Sequence, residues 1–129
     1  MVSLLLVSHS ELLAAGAREL AAEMGHGKVA IAAVGGTSEG KLGTSVERIG
    51  AALLALAPDD GVLVLVDLGS AVFSAELALE QSGVRYRISN ASLVEGAVFA
   101  AAAAAAGATL DQVAAAAEKS RTLVKVHDA

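Results

Sequence analysis

The sequence predicts an α/β fold: a three-layer α/β/α sandwich around a parallel, doubly wound sheet of about four strands in the order 2-1-3-4. Two observations carry this. Short apolar runs alternate with stretches whose apolar residues recur at helical spacing, and the runs at the N-terminus and mid-chain stop at polar or glycine-containing turns. Right-handed crossovers between parallel strands then place helices on both faces of the sheet. The chain has 129 residues, 55% of them apolar, which is ample material for the core of one domain spanning 1–129.

Each element follows from its residues. Val2, Leu4, Leu5, Leu6 and Val7 form the first strand, which stops at Ser8-His9-Ser10. A helix then runs from Ser10 to Met24, with Leu13, Ala17, Leu20, Ala21 and Met24 as its apolar stripe and Arg18, Glu19 and Glu23 off it. Gly25 and Gly27 close it. Residues 29–34 make a second strand, followed by a long loop carrying Gly35, Gly36, Gly40 and Gly43. Thr44 or Ser45 caps the next helix, whose stripe is Val46, Ile49, Leu53 and Leu56 and whose end is Pro58 with the turn Asp59-Asp60-Gly61.

Residues 62–66 are apolar on both faces, as a central parallel strand requires, and stop at Asp67-Leu68-Gly69-Ser70. Ser70 caps a helix to Ser82, with Phe73 and Leu77 on one side and Gly83 at its end. Residues 84–88 alternate apolar and basic residues, an edge strand blunted by Arg85 and Arg87. Ser92 caps a helix through the alanine run to Gly107, and Thr109 with Gln112 forms a capping box opening a last helix through Leu110, Val113, Ala114 and Ala117. Residues 122–126 either extend that helix or pair as a strand.

Composition excludes several classes of function. A net charge of −5, nine scattered basic residues and 2% aromatics argue against a nucleic-acid partner. Without cysteine there are no disulfides, thiolate metal sites or thiol catalysis, which is compatible with a cytoplasmic location. No basic stretch precedes the first apolar run, and the charge-free segment between Glu95 and Asp111 is too short to cross a bilayer comfortably, so no membrane association is expected.

The predicted topology brings two distant residues together. His9 ends the first strand and Asp67 the third, and in the order 2-1-3-4 these strands are neighbours, with the switch point where α/β sheets bind ligands between their carboxyl ends. The Gly43-Thr44-Ser45 turn shares that rim. A carboxylate accepting from one ring nitrogen of His9 fixes the tautomer and leaves the other nitrogen as an outward-facing nucleophile. A phosphoryl group arriving there is met by the helix starts at Ser10 and Ser70, by backbone N–H groups, that of Gly69 included, and by the hydroxyls of Ser10, Thr44 and Ser70.

Val7-Ser8-His9-Ser10, Gly43-Thr44-Ser45, Val66-Asp67-Leu68-Gly69-Ser70-Ala71 and Leu93-Val94-Glu95-Gly96, in this order over nearly the whole chain, resemble the DhaM family. These are the phosphocarrier subunits of phosphotransferase-system-dependent dihydroxyacetone kinases, and mannose-type enzyme IIA domains share their fold and histidine. The resemblance implies that His9 takes a phosphoryl group from HPr and passes it to ADP held by the DhaL subunit, while DhaK binds dihydroxyacetone. Nucleotide and magnesium then sit on the partner, and no cofactor is expected on this chain. The resemblance also implies a homodimer, with HPr as a separate protein.

Each motif has a plainer structural reading. Ser8-His9-Ser10 alone is a weak signal, Asp67 alone reads as a helix cap, and Thr44 or Ser45 caps a helix whether or not it touches phosphate. It is the pairing of His9 with the Asp67 turn that carries the inference. The glycine loop lacks the spacing and terminal lysine of a Walker motif. Glu95 in a first helical turn reads as a partner of the helix dipole, His26 between two glycines as an exposed cap, and His127 as a tail residue. These three histidines, His9 included, have no acidic neighbours in a metal-ligand spacing, so no metal site is expected. The alternatives are a mannose-type sugar-transport IIA carrier, a non-catalytic flavodoxin-like binding module, disfavoured because Phe73, Tyr86 and Phe99 are the only aromatics, and a scaffold that has lost transfer.

Overall fold

In the computed structural model, which describes residues 1–56 and 59–127, the strands and helices alternate: β1 (Ser3–Ser8), α1 (Glu11–Met24), β2 (Ile31–Gly35), α2 (Val46–Leu54), β3 (Val62–Val66), α3 (Ala71–Ser82), β4 (Tyr86–Ile88), α4 (Leu93–Ala105) and α5 (Leu110–Glu118). All pairings are parallel and the sheet order is β2-β1-β3-β4, as the sequence predicts. Pro58 lies outside the described residues.

Period-two alternation divides the core. Leu4 and Leu6 of β1 and Leu63 and Leu65 of β3 point to the face covered by α1, α4 and α5, whereas Leu5, Val7, Val62 and Val64 point to the face covered by α2 and α3. These eight side chains are sealed from solvent, so β1 and β3 are the central strands. The tight layer over α1 and α4 is built from alanine: Ala17 and Ala21 meet the same core as Ala97, Ala100, Ala101 and Ala104. Small side chains let the helices approach closely.

That packing corrects the predicted stripe of α1. Ala17 and Ala21 are buried as expected, joined by Ala14, but Leu13, Leu20 and Met24 are exposed. Phe73 and Leu77 of α3 are likewise exposed, and Ala71, Ala75, Ala78 and Leu79 form its buried side. Alanines make up the whole buried side of α1 and all but Leu79 of that of α3, so small side chains fill most of the contact with the core.

Boundaries differ slightly from expectation. The edge strand β4 is confined to Tyr86–Ile88, with Arg85 and Arg87 exposed and Arg87 paired to Asp111 at 2.9 Å. Ser45, not Thr44, caps α2 by accepting from Arg48 N–H at 3.2 Å, and Thr109 and Gln112 form the predicted capping box. After α5 the chain makes a 3-10 turn over Lys119–Thr122, and residues 123–126 belong to neither helix nor strand.

Candidate functional site

The β1–β3 ladder positions the site. Val7 pairs with Val66, and the Asp67 N–H donates to the Val7 carbonyl at 3.2 Å, so Asp67 leaves β3 level with Ser8 and His9. On the other side Ser8 pairs with Gly35, where a Cβ would lie 2.3 Å from the Ser10 carbonyl oxygen. Only glycine lets the end of β2 press this close to the start of α1. Ser10 caps α1 by accepting from Leu13 N–H at 3.2 Å.

Asp67 is the hub. Its Oδ2 accepts from the Ser8 hydroxyl at 2.8 Å and from His9 N–H at 3.0 Å; its Oδ1 accepts from Leu68 N–H at 2.7 Å and faces His9 Nδ1 at 3.0 Å. Burial works to raise the pKa of Asp67, but His9 N–H, the His9 ring, the Ser8 hydroxyl and Leu68 N–H outweigh it and hold the carboxyl below the ordinary 3.8. An ionised carboxylate only accepts, so Nδ1 carries the proton and donates, leaving the lone pair on Nε2. Ser70 Oγ lies 2.9 Å from Nε2 and, in this tautomer, donates to it. The ring is a quarter exposed, with a side-chain accessibility of 25% against 12% for Asp67.

The remaining predicted phosphate ligands stand as follows. Ser70 already has helical angles and makes no capping hydrogen bond; its hydroxyl is used on His9 instead of on the helix, which corrects its predicted role as a cap. Gly69 sits in open space, with its carbonyl accepting from Val72 N–H at 3.1 Å. Thr44 is drawn to this rim because the Gly43 N–H donates to the His9 carbonyl at 2.9 Å, and its hydroxyl pairs with Ser74 Oγ at 2.7 Å.

Two residues of the site escape sequence reasoning. Ser8 is fully buried, and its hydroxyl donates to Asp67 while accepting from Ser10 N–H at 3.0 Å, which locks the turn that carries His9. A serine closing an otherwise apolar strand was the available signal. Ser74 gave none, since serine inside a helix is common on solvated faces.

The Leu93-to-Gly96 motif opens α4 and makes contacts within the fold. Glu95 pairs with Lys125, whose ammonium holds the Glu95 carboxyl below its usual range, and Ser92 N–H donates to Ser120 Oγ at 3.2 Å. These contacts tie the C-terminal segment to the start of α4, beyond the dipole role read from sequence. His26 and His127 are exposed, and among the described residues no group of three or more His, Asp or Glu could hold a metal ion.

The sequence model of the EIIA-man family, described as the PTS system fructose IIA component, matches residues 3–114. The chain belongs to the EIIA-man family. It is 41% identical over 120 residues to the "PEP-dependent dihydroxyacetone kinase, phosphoryl donor subunit DhaM" of Escherichia coli strain K12, covering 88% of this chain and 25% of that relative. It thus spans about a quarter of the length of that relative. With the "PEP-dependent dihydroxyacetone kinase 2, phosphoryl donor subunit DhaM" of Listeria innocua serovar 6a it shares 38% identity over 105 residues, covering 78% of this chain and 84% of the relative. A crystal structure of a protein of unknown function superposes with a TM-score of 0.79 at 35% identity, over 92% of this EIIA-man chain and 93% of the other. The DhaM resemblance carried by the four sequence motifs is borne out.

Proposed function

We propose that this EIIA-man protein is the phosphohistidine carrier of a phosphoenolpyruvate-dependent dihydroxyacetone kinase. His9 takes a phosphoryl group from HPr and hands it to ADP held with magnesium on the DhaL subunit, DhaK binding dihydroxyacetone downstream. The carrier works in the cytoplasm as a homodimer and binds no cofactor of its own. One observation carries the reading: Asp67 Oδ1 at 3.0 Å from Nδ1 and Ser70 Oγ at 2.9 Å from Nε2 leave a single nucleophilic nitrogen facing outward.

The chemistry follows from that tautomer. The Nε2 lone pair attacks the phosphorus of the donor's phosphohistidine, the donor's P–N bond breaks, and its electron pair returns to the donor ring. His9 then carries phosphoryl on Nε2 and the proton on Nδ1, and the positive ring faces the Asp67 carboxylate. In the second transfer a β-phosphate oxygen of ADP attacks, and the N–P pair returns to Nε2. Ser70 releases Nε2 at the first step and turns its hydroxyl to a phosphoryl oxygen. Throughout, the phosphoryl group stands at the starts of α1 and α3, where backbone dipoles favour negative charge.

The surroundings favour a protein over a small metabolite as exchange partner. Leu12, Leu42, Leu68 and Phe73 are all exposed, Leu12 at 86%, and each lies within three positions of His9, Gly43, Asp67 or Ser70. Exposed apolar side chains at these positions suit docking by a protein surface. No helix among the described residues is long and apolar enough to cross a membrane.

Incubation with phosphoenolpyruvate, enzyme I and HPr should place an acid-labile, base-stable phosphate on the wild type and none on His9→Ala. ADP-loaded DhaL should discharge it. Absence of label in the wild type ends the carrier reading. Discharge to a sugar-transport IIB protein and never to DhaL would assign the chain to sugar transport, the second reading, which the family's description as a fructose IIA component favours.

A further inference from the structure

Ser74 is a helical serine whose hydroxyl reaches across to another element. A serine in this setting ordinarily bonds back to the carbonyl four residues earlier or faces water. Here Ser74 Oγ lies 2.7 Å from Thr44 Oγ1, thirty positions away, and both side chains are part-buried. Ser70 has helical backbone angles, so Ser70 and Ser74 are one turn apart on the same face of α3. The first touches His9 Nε2 and the second touches Thr44.

The other end of this arrangement is also fixed. Gly43, at a φ of +139° that disfavours any other residue, donates its N–H to the His9 carbonyl and so delivers Thr44 to the rim. Ser70 on Nε2, Ser74 one turn along the same helix face and Thr44 bonded to Ser74 therefore put three hydroxyls on one side of the rim. In the Thr44–Ser74 pair either oxygen is free to be the donor. We propose that Ser74 is a positioning residue for phosphoryl transfer, acting through Thr44: when phosphoryl occupies Nε2, Ser74 donates to Thr44, and Thr44 turns its own proton to a phosphoryl oxygen. In the free state the same bond holds the Thr44 rotamer ready, so the cradle is formed before the group arrives. The inference rests on the phosphohistidine reading of His9.

Potassium phosphoramidate tests it without any partner protein, since its P–N bond breaks as Nε2 takes the phosphoryl group and ammonia leaves. The readouts are the rate of His9 phosphorylation, taken against His9→Ala to remove labelling of His26 and His127, and the phosphorus NMR shift of the phosphohistidine. Ser74→Ala and Thr44→Val should each slow the reaction about tenfold, the size of one lost hydrogen bond, and move the resonance. The double variant should lose no more than either single one, because both remove the same contact. Ser74→Thr, which keeps the hydroxyl, should restore rate and resonance.

A merely structural Ser74 would lower the melting temperature of Ser74→Ala and leave rate and resonance alone, and that result overturns the proposal. Losses that multiply to about a hundredfold in the double variant overturn it too, since Ser74 would then act independently of Thr44. Wild-type protein that reacts with phosphoramidate but not with phosphorylated HPr would sink the carrier function and leave the role of Ser74 standing. No reaction at His9 with either donor would sink both.

Discussion

Asp67 grips His9 at two points, Oδ2 on the backbone N–H and Oδ1 on Nδ1, each at 3.0 Å. One carboxylate thereby sets both where the residue sits and which ring nitrogen keeps its proton. Asp67→Asn replaces one acceptor with a donor and removes the charge opposite the ring. Phosphorylation of His9 by phosphorylated HPr should slow by roughly 10²- to 10⁴-fold, the scale seen when a histidine loses the acid that orients it. Rapid-quench kinetics measures this, with circular dichroism confirming that the variant is folded. A rate within threefold of wild type removes the orienting role.

The same carboxyl has a stability signature. Its pKa is lowered in the folded chain from the ordinary 3.8, so its hydrogen bonds stabilise the fold fully above that pH. The contribution is lost as pH falls below 3.8 and through the lower folded value. Urea unfolding of wild type and Asp67→Asn between pH 3 and pH 7 should show a constant gap at the upper end that narrows on the acid side. A gap that widens with acid would reverse the sign and contradict the four-donor geometry.

Much of this site is legible in sequence because it sits at strand ends. Two runs apolar on both faces can only be central strands, and their polar terminators, His9 and Asp67, then have to meet at the switch point. What escaped depends on spacing between layers. Leu13, Leu20 and Met24 outweigh alanines in any hydrophobic stripe, yet the close α1–α4 layer admits Ala14, Ala17 and Ala21 instead. The roles of Ser70 and Ser74 were hidden for a different reason, since a serine near a helix start reads as a cap and one inside it as surface until the partner element is placed. Glu95 shows the same limit: its partner Lys125 is thirty residues away in a segment without periodicity.

Two helical glycines should respond oppositely to alanine. At Gly96 a Cβ would lie 2.7 Å from the Ala91 Cβ and 2.8 Å from Leu65 Cδ2, beneath the start of α4. Leu65 has some freedom to turn away, but Ala91 has none. Overpacking of about 1–3 kcal/mol should exceed the roughly 1 kcal/mol gained in helix propensity, so Gly96→Ala destabilises. Gly16, exposed within α1, has nothing within 4 Å of its Cβ position, and Gly16→Ala should stabilise by about 0.4–1 kcal/mol. Denaturant midpoints decide both, and a stabilised Gly96→Ala would mean that α4 is free to lift from the sheet.

The apolar rim makes a prediction about partners that the chemistry at Nε2 does not. Phe73 is 73% exposed in the first turn of α3, three residues after Ser70, and its ring contributes nothing to the buried side of that helix. Phe73→Asp removes apolar docking area, while an acid in a first turn suits the helix dipole, so the fold should hold. The cost should fall on encounter: KM for phosphorylated HPr rises about tenfold or more, and kcat at saturation changes little, because Asp67, Ser70 and the His9 tautomer are untouched. Steady-state transfer at varied HPr concentration separates the two parameters. A fall in kcat at unchanged KM would place Phe73 in the transfer step, and no effect on either would mean that Phe73 lies outside the partner's footprint.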